Sequence, residues 1–177
     1  VDSLAGDERR ARFEALAPGL IEPLRRFLAR RSDPATAEDA LAETLLVCWR
    51  RLDEIPHEPL PWAYGVARNC LANAERGRRR RNRLVARIAI LDPPRPAGDE
   101  ASPDLTAVLD RMRPQDAELL RLWAWEELSA AEIAQVLGIS ANAATIRLHR
   151  ARERLRAELT GTDGPAGSEA AKGRGQR

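Results

Sequence analysis

The chain has 177 residues, with 29 basic against 27 acidic side chains and a formal net charge of +2; that length allows one ordinary domain or two small ones and excludes a large multidomain enzyme. Hydrophobic residues make up 44%, enough for a core, yet no apolar run approaches the ~20 residues needed to cross a bilayer. The amino end lacks the basic start, apolar middle and small-residue cleavage site of a secretory signal, so a cytoplasmic location without membrane insertion is expected.

In chain order, Phe13, Leu16, Leu20, Leu24, Phe27 and Leu28 recur at steps of three and four, which puts them on one stripe of an amphipathic helix. After the breaker Ser32-Asp33-Pro34, Thr36 can cap a second helix with Asp39 three residues on. Its buried stripe is Leu41, Leu45, Cys48, Trp49 and Leu52. The prolines between residues 56 and 61 force an irregular connection, and Pro61 suits the first turn of a third helix. The inner face of that helix uses Trp62 or Ala63, then Val66, Ala67, Cys70 and Ala74, and Leu84, Val85 and Ile88 carry the pattern further. Cys48 and Cys70 stand alone, with no CxxC and no histidines at ligand spacing, so neither a metal nor a cofactor is expected. They read as small buried hydrophobes, with a redox pair as the alternative.

The third helix also carries a polar stripe. Asn69, Asn73, Arg76 and Arg80 recur at steps of four, three and four and lead into the arginine run at 78–81, setting amides beside guanidinium groups as base edges beside phosphates require. Trp62 can either stack on unpaired bases or belong to the core. Composition changes over 92–104, where Pro93, Pro94, Pro96 and Pro103 stand among acids, and this reads as a flexible linker. A second helical block follows over 105–159, and the Gly-rich polar tail 160–177 is expected to be disordered. No repeat and no strand pattern competes. The fold class is therefore all-α, with two small helical domains, 8–91 and 105–159, on a tether.

The strongest local signal lies in the second block. Ser129 and Glu132 form a capping box, with Leu128 and Ile133 placed as a hydrophobic staple; Gly138 ends that short helix and Ser140 caps the next. Helix, glycine turn and capped helix is the helix-turn-helix layout. At 100° per residue, Ala144, Leu148, Ala151 and Leu155 share one face of the second helix, which leaves Asn142, Thr145, Ile146, His149 and Arg150 pointing outward. An outward isoleucine suits a thymine methyl in a major groove, and Asn142 and Arg150 suit adenine and guanine edges. Arg147 and Arg154 on one flank, with Arg152 and Arg156 on the other, are placed as phosphate clamps. A merely solvated charged face is the competing reading. Trp123 and Trp125 are expected to pack the helix before the motif.

These motifs together resemble a known family. AEDALAETLLVCWRRLDEI, PWAYGVARNCLANAERGRRRR and ELSAAEIAQVLGISANAATIRLHRARERL resemble, in order and spacing, regions 2.1 to 2.2, regions 2.3 to 2.4 and region 4.2 of bacterial RNA polymerase sigma factors of the extracytoplasmic-function (ECF) group. The resemblance spans about residues 10–159. It implies a non-enzymatic specificity subunit that directs promoter recognition and transcription initiation, with core RNA polymerase, promoter DNA and an anti-sigma protein as partners. It further implies core polymerase binding by Glu38, Asp39, Glu43, Thr44, Trp49 and Arg50. Minus-10 contacts would come from Trp62, Asn69, Asn73, Arg76 and Arg80, and minus-35 contacts from Asn142, Thr145, Ile146, Arg147, His149, Arg150 and Arg152. Ala143, Ala144 and Thr145 depart from the Thr-Val-basic pattern of many relatives, so their minus-35 preference does not transfer. A helix-turn-helix regulator acting without core polymerase is the alternative function, and its signature would be tight dimeric binding at half-sites about one helical turn apart.

Overall fold

A computed structural model describes residues 2–85 and 103–162, and among these every regular element is helical. The first body consists of α1 (Asp2–Ala29), α2 (Pro34–Arg50), a 3-10 turn (Leu52–Glu54) and α3 (Pro59–Val85). The second consists of α4 (Pro103–Arg111), α5 (Pro114–Ala124), α6 (Ala130–Leu137) and α7 (Ala141–Thr162). Ile88, residues 92–102 of the expected linker and residues 163–177 of the expected tail lie outside the described residues. Pro103 and Asp104, assigned to the linker from composition, instead open α4, because proline is tolerated where the first-turn amide has no helical partner.

The apolar stripes fall where the periodicity puts them. Leu20, Leu24, Phe27 and Leu28 of α1 are buried against Ala37, Ala40, Leu41 and Cys48 of α2 and against Ala63, Tyr64, Ala67 and Leu71 of α3. The Phe27 and Tyr64 rings stack at 4.9 Å between centroids. Helix α1 begins well before the apolar stripe. Its first turns are anchored by Arg9 and Arg12, whose guanidinium groups pair with Asp53 at 2.8 and 3.0 Å; Arg9 also donates to the carbonyls of Trp49 and Arg50, acceptors that the end of α2 leaves open, and Arg12 to that of Leu52 in the 3-10 turn.

The cap of α2 differs from the sequence expectation. Asp33, not Thr36, is the N-cap; its carboxylate accepts from the Thr36 amide at 3.1 Å and from the Thr36 hydroxyl at 2.8 Å. Pro34 explains the shift, since its fixed φ and missing N–H favour the first helical position and put the cap on Asp33, three residues before Thr36. Pro59 likewise starts α3 two residues before Pro61.

Helices α5, α6 and α7 enclose Leu119, Leu122, Leu128, Ile133, Val136, Ala144 and Leu148, and this cluster runs without a break into the core of the first body. A smaller cluster of Leu109, Ala117, Leu120 and Ala151 closes the other side with Leu105, Met112, Trp125 and Leu155. The bodies meet where α6 lies on α3. The backbones come close at Gly65, where the position a Cβ would take lies 3.5 Å from the carbonyl oxygen of Val136, an ordinary van der Waals distance. Beside it, the side chain of Glu126 in the α5–α6 connection is 2% exposed and pairs with Arg30 at 2.5 Å and Arg31 at 3.0 Å, both just beyond the end of α1.

Candidate nucleic-acid interface

The helix-turn-helix is built as its residues dictate. The Ser129 hydroxyl oxygen accepts from the Glu132 amide while the Glu132 carboxylate accepts from the Ser129 amide at 2.8 Å, so both arms of the capping box are made. Leu128 and Ile133 are buried on either side of it. Gly138 ends α6 with φ +65, a left-handed conformation that glycine adopts without a Cβ clash, and the Ser140 hydroxyl accepts from the Ala143 amide to start α7.

Along α7, Ala144, Leu148 and Ala151 are buried and Leu155 is half-buried, which turns Asn142, Thr145, Ile146, Arg147, His149, Arg150 and Arg152 to the surface. Ile146 is 43% exposed on the side opposite the core. The Thr145 hydroxyl donates to the Ala141 carbonyl at 2.9 Å, and His149 Nε2 lies 3.4 Å from Glu153. Arg152 stacks on the exposed Trp123 ring at 4.5 Å, so Trp123 serves this surface rather than the core packing expected of it. Trp125 does pack inward, half-buried between Arg30 and Arg121. Arg154 is no free phosphate clamp. It pairs with Asp116 at 2.5 Å, tying α7 to the first turn of α5.

On α3, Asn69, Asn73, Arg76 and Arg80 are exposed as a continuous strip, with the Arg76 guanidinium donating to Asn73 Oδ1. Arg78 leaves the basic run to bind Asp33 at 2.8 Å, so one guanidinium fixes α3 to the start of α2. Trp62 is half-buried against the first core with Arg51 over its ring at 5.4 Å. Arg68 faces a cleft of about 480 Å³ shared with Arg113, Arg147 and Arg150. None of these four guanidinium groups has an ion-pair or hydrogen-bond partner among the described residues.

The outer face of α2 presents Glu38, Asp39, Glu43 and Arg50. Thr44, placed with them from the resemblance, is fully buried, and its hydroxyl donates to the Ala40 carbonyl at 2.6 Å; the helix turns it inward. Trp49 is half-buried, edge-on to Phe13 at 5.4 Å and under Arg9. Sequence reasoning missed Leu46, which lies 39% exposed between Glu43 and Arg50; an apolar residue three after Glu43 and four before Arg50 was the available signal. Both thiols are buried and free of a disulfide, and burial pushes that of Cys48 up to about 11, with the neighbouring Cys70 adding to it. Such thiols are protonated and unreactive at neutral pH.

Comparison with known proteins fits this geometry. The family description "Sigma-70, region 4" matches residues 103–155, which are α4 through most of α7. The RNA polymerase sigma factor CarQ of Myxococcus xanthus is 34% identical over 144 residues, covering 76% of this chain and 81% of CarQ. The ECF RNA polymerase sigma factor SigL of Mycobacterium tuberculosis is 34% identical over 140 residues, covering 72% and 76%. The chain belongs to the ECF sigma factors of RNA polymerase. As a sigma factor it acts in promoter recognition and transcription initiation, and it is not itself an enzyme. The fold of this sigma factor is similar to that of CnrH in its complex with the cytosolic domain of CnrY, with a TM-score of 0.55 at 23% identity over 88% of this chain and 90% of that one. It is also similar to RpoE of Bartonella quintana in complex with the anti-sigma factor NepR, with a TM-score of 0.56 at 23% identity over 93% and 100%. No described helix of the sigma factor is long and apolar enough to cross a membrane.

Proposed function

We propose that this sigma factor reads a minus-35 element with α7 and a minus-10 element with α3 while docking on core polymerase through the outer face of α2, in the cytoplasm where that enzyme works. The observation that carries this is Ile146, exposed opposite Ala144, Leu148 and Ala151 on the second helix of a fully capped helix-turn-helix. In a major groove that side chain meets the thymine methyl, while Asn142 and Arg150 address adenine and guanine edges and Arg147 and Arg152 address phosphates. Thr145 and His149 border the same surface. Asn69, Asn73, Arg76 and Arg80 serve the minus-10 side, with Trp62 supporting their helix from the core. Opening the duplex there requires unstacking that costs a few kcal/mol per base, which capture of the freed bases offsets. The polymerase-facing surface is Glu38, Asp39, Glu43, Leu46 and Arg50, with Trp49 beneath. The sigma factor RpoE of Bartonella quintana, which is similar in fold, is held by the anti-sigma factor NepR, which supports an anti-sigma protein as a further partner.

Run-off transcription tests this reading. Core polymerase supplemented with the protein should initiate at a discrete site on a matched promoter, where core alone does not; copurification without initiation at any start site would refute it. Retention of tight operator binding by a dimer that never associates with core polymerase would instead identify a helix-turn-helix regulator.

A further inference from the structure

Arg68 of α3, Arg113 between α4 and α5, and Arg147 and Arg150 of α7 line one cleft of about 480 Å³. All four are exposed, and none has an ion-pair or hydrogen-bond partner among the described residues. The acids on the same lining are already engaged. Asp116 pairs with Arg154 at 2.5 Å, and Glu118 lies 3.5 Å from Arg31 in a cluster that also holds Arg30 and Glu126. Four positive charges therefore share one space without a counter-charge from the described residues.

Duplex DNA does not account for this convergence. The volume falls in the ~300–1,000 Å³ range of small-molecule sites, and a duplex whose major groove alone is ~12 Å wide does not enter it. A concave surface lined by one sign of charge concentrates small counter-ions. Guanidinium forks match phosphate oxygens in pairs, and four of them arriving from three elements suit two adjacent phosphates better than one. Leu119 and the half-buried Leu137 and Ile139 complete the lining with an apolar surface on which a flat ring can lie. We propose that this cleft binds a diphosphate group, free or carried by a nucleotide, and that the bound group withdraws Arg147 and Arg150 from the minus-35 element. The second half of this proposal rests on the promoter-reading function above.

Arg68 and Arg113 separate this site from promoter reading. Neither belongs to the residues assigned to the minus-35 or minus-10 element. The Arg113 side chain makes no cap bond at the start of α5, and both side chains are exposed, so either can be shortened without disturbing the core. Arg147 and Arg150 belong to both surfaces. Diphosphate and duplex then exclude one another, because the same two guanidinium groups cannot face the cleft and a major groove together.

The test titrates the full-length chain by calorimetry at constant ionic strength with inorganic pyrophosphate, ATP, adenosine and sulfate. Pyrophosphate and ATP should bind one per chain and more tightly than sulfate. Arg113→Ala and Arg68→Ala should each weaken them about tenfold, as loss of a charge-assisted bond does. Arg156→Ala removes the same charge from α7 outside the cleft and should leave binding unchanged. ATP binding more tightly than pyrophosphate would assign the site to a nucleotide, and equal affinities to the free diphosphate. Sulfate binding as tightly as pyrophosphate, equal losses in all three variants, or binding of adenosine alone would overturn the site. In a second titration, pyrophosphate should release a matched minus-35 duplex from the wild type, and about tenfold more should be needed with Arg113→Ala. Duplex binding indifferent to saturating pyrophosphate would overturn the competition. The first titration contains neither DNA nor polymerase, so failure of the site and failure of promoter reading are separate results.

Discussion

Ile146 and Arg150 lie four residues apart on an exposed face whose neighbours at Ala144, Leu148 and Ala151 are buried, so their side chains contribute nothing to the core they surround. Arg150→Ala should leave the melting temperature unchanged and cost ~1–3 kcal/mol on the cognate minus-35 sequence, with relaxed preference at one base position. Equal losses on all sequences in a binding titration would show a phosphate contact instead. Residue identity alone was enough to place this face, because a helical wheel separates inward from outward positions. It was not enough for Thr44, Arg154 or Trp123. Thr44 bonds its own helix backbone, Arg154 is claimed by Asp116, and Trp123 is covered only by Arg152. Two of these turn on partners 29 to 38 residues away in the chain, which no local spacing encodes.

At the scale of the element, caps decide where helices start and how firmly. The box of Ser129 and Glu132 and the turn at Gly138 were legible because each needs only residues within four positions. Asp33 was not chosen over Thr36 by spacing alone; Pro34 and the bridge to Arg78 of α3 favour it. The amide of Thr36, then its hydroxyl, hold the Asp33 carboxyl below the usual carboxylate range, with Arg78 adding a smaller effect and burial opposing. A depressed folded-state pKa means that this carboxylate stabilises the fold above its unfolded value, ~3.9, and stops doing so as pH falls through the folded value. Asp33→Ala should therefore destabilise the chain by ~1 kcal/mol near neutral pH in urea unfolding. The gap from wild type should close in strong acid, and a deficit independent of pH would show that the charge has no part in the cap.

For the whole molecule, the proposed function sets three surfaces against two partners. Glu43→Arg reverses a charge on the outer face of α2, away from both reading helices, so it should weaken copurification with core polymerase while leaving duplex binding by the free chain unaltered. Leu46→Ala should weaken the same copurification, and loss of polymerase binding in neither variant would discard that face. The sequence by itself determined the helices, their apolar faces, the helix-turn-helix and the family, because these follow from side chains three or four residues apart and from motifs in a fixed order. Only the tertiary structure decided that the two bodies share one core and that Glu126 is buried between Arg30 and Arg31. Contacts across some ninety-five residues arise only when surfaces meet, and no local spacing encodes which surfaces those are.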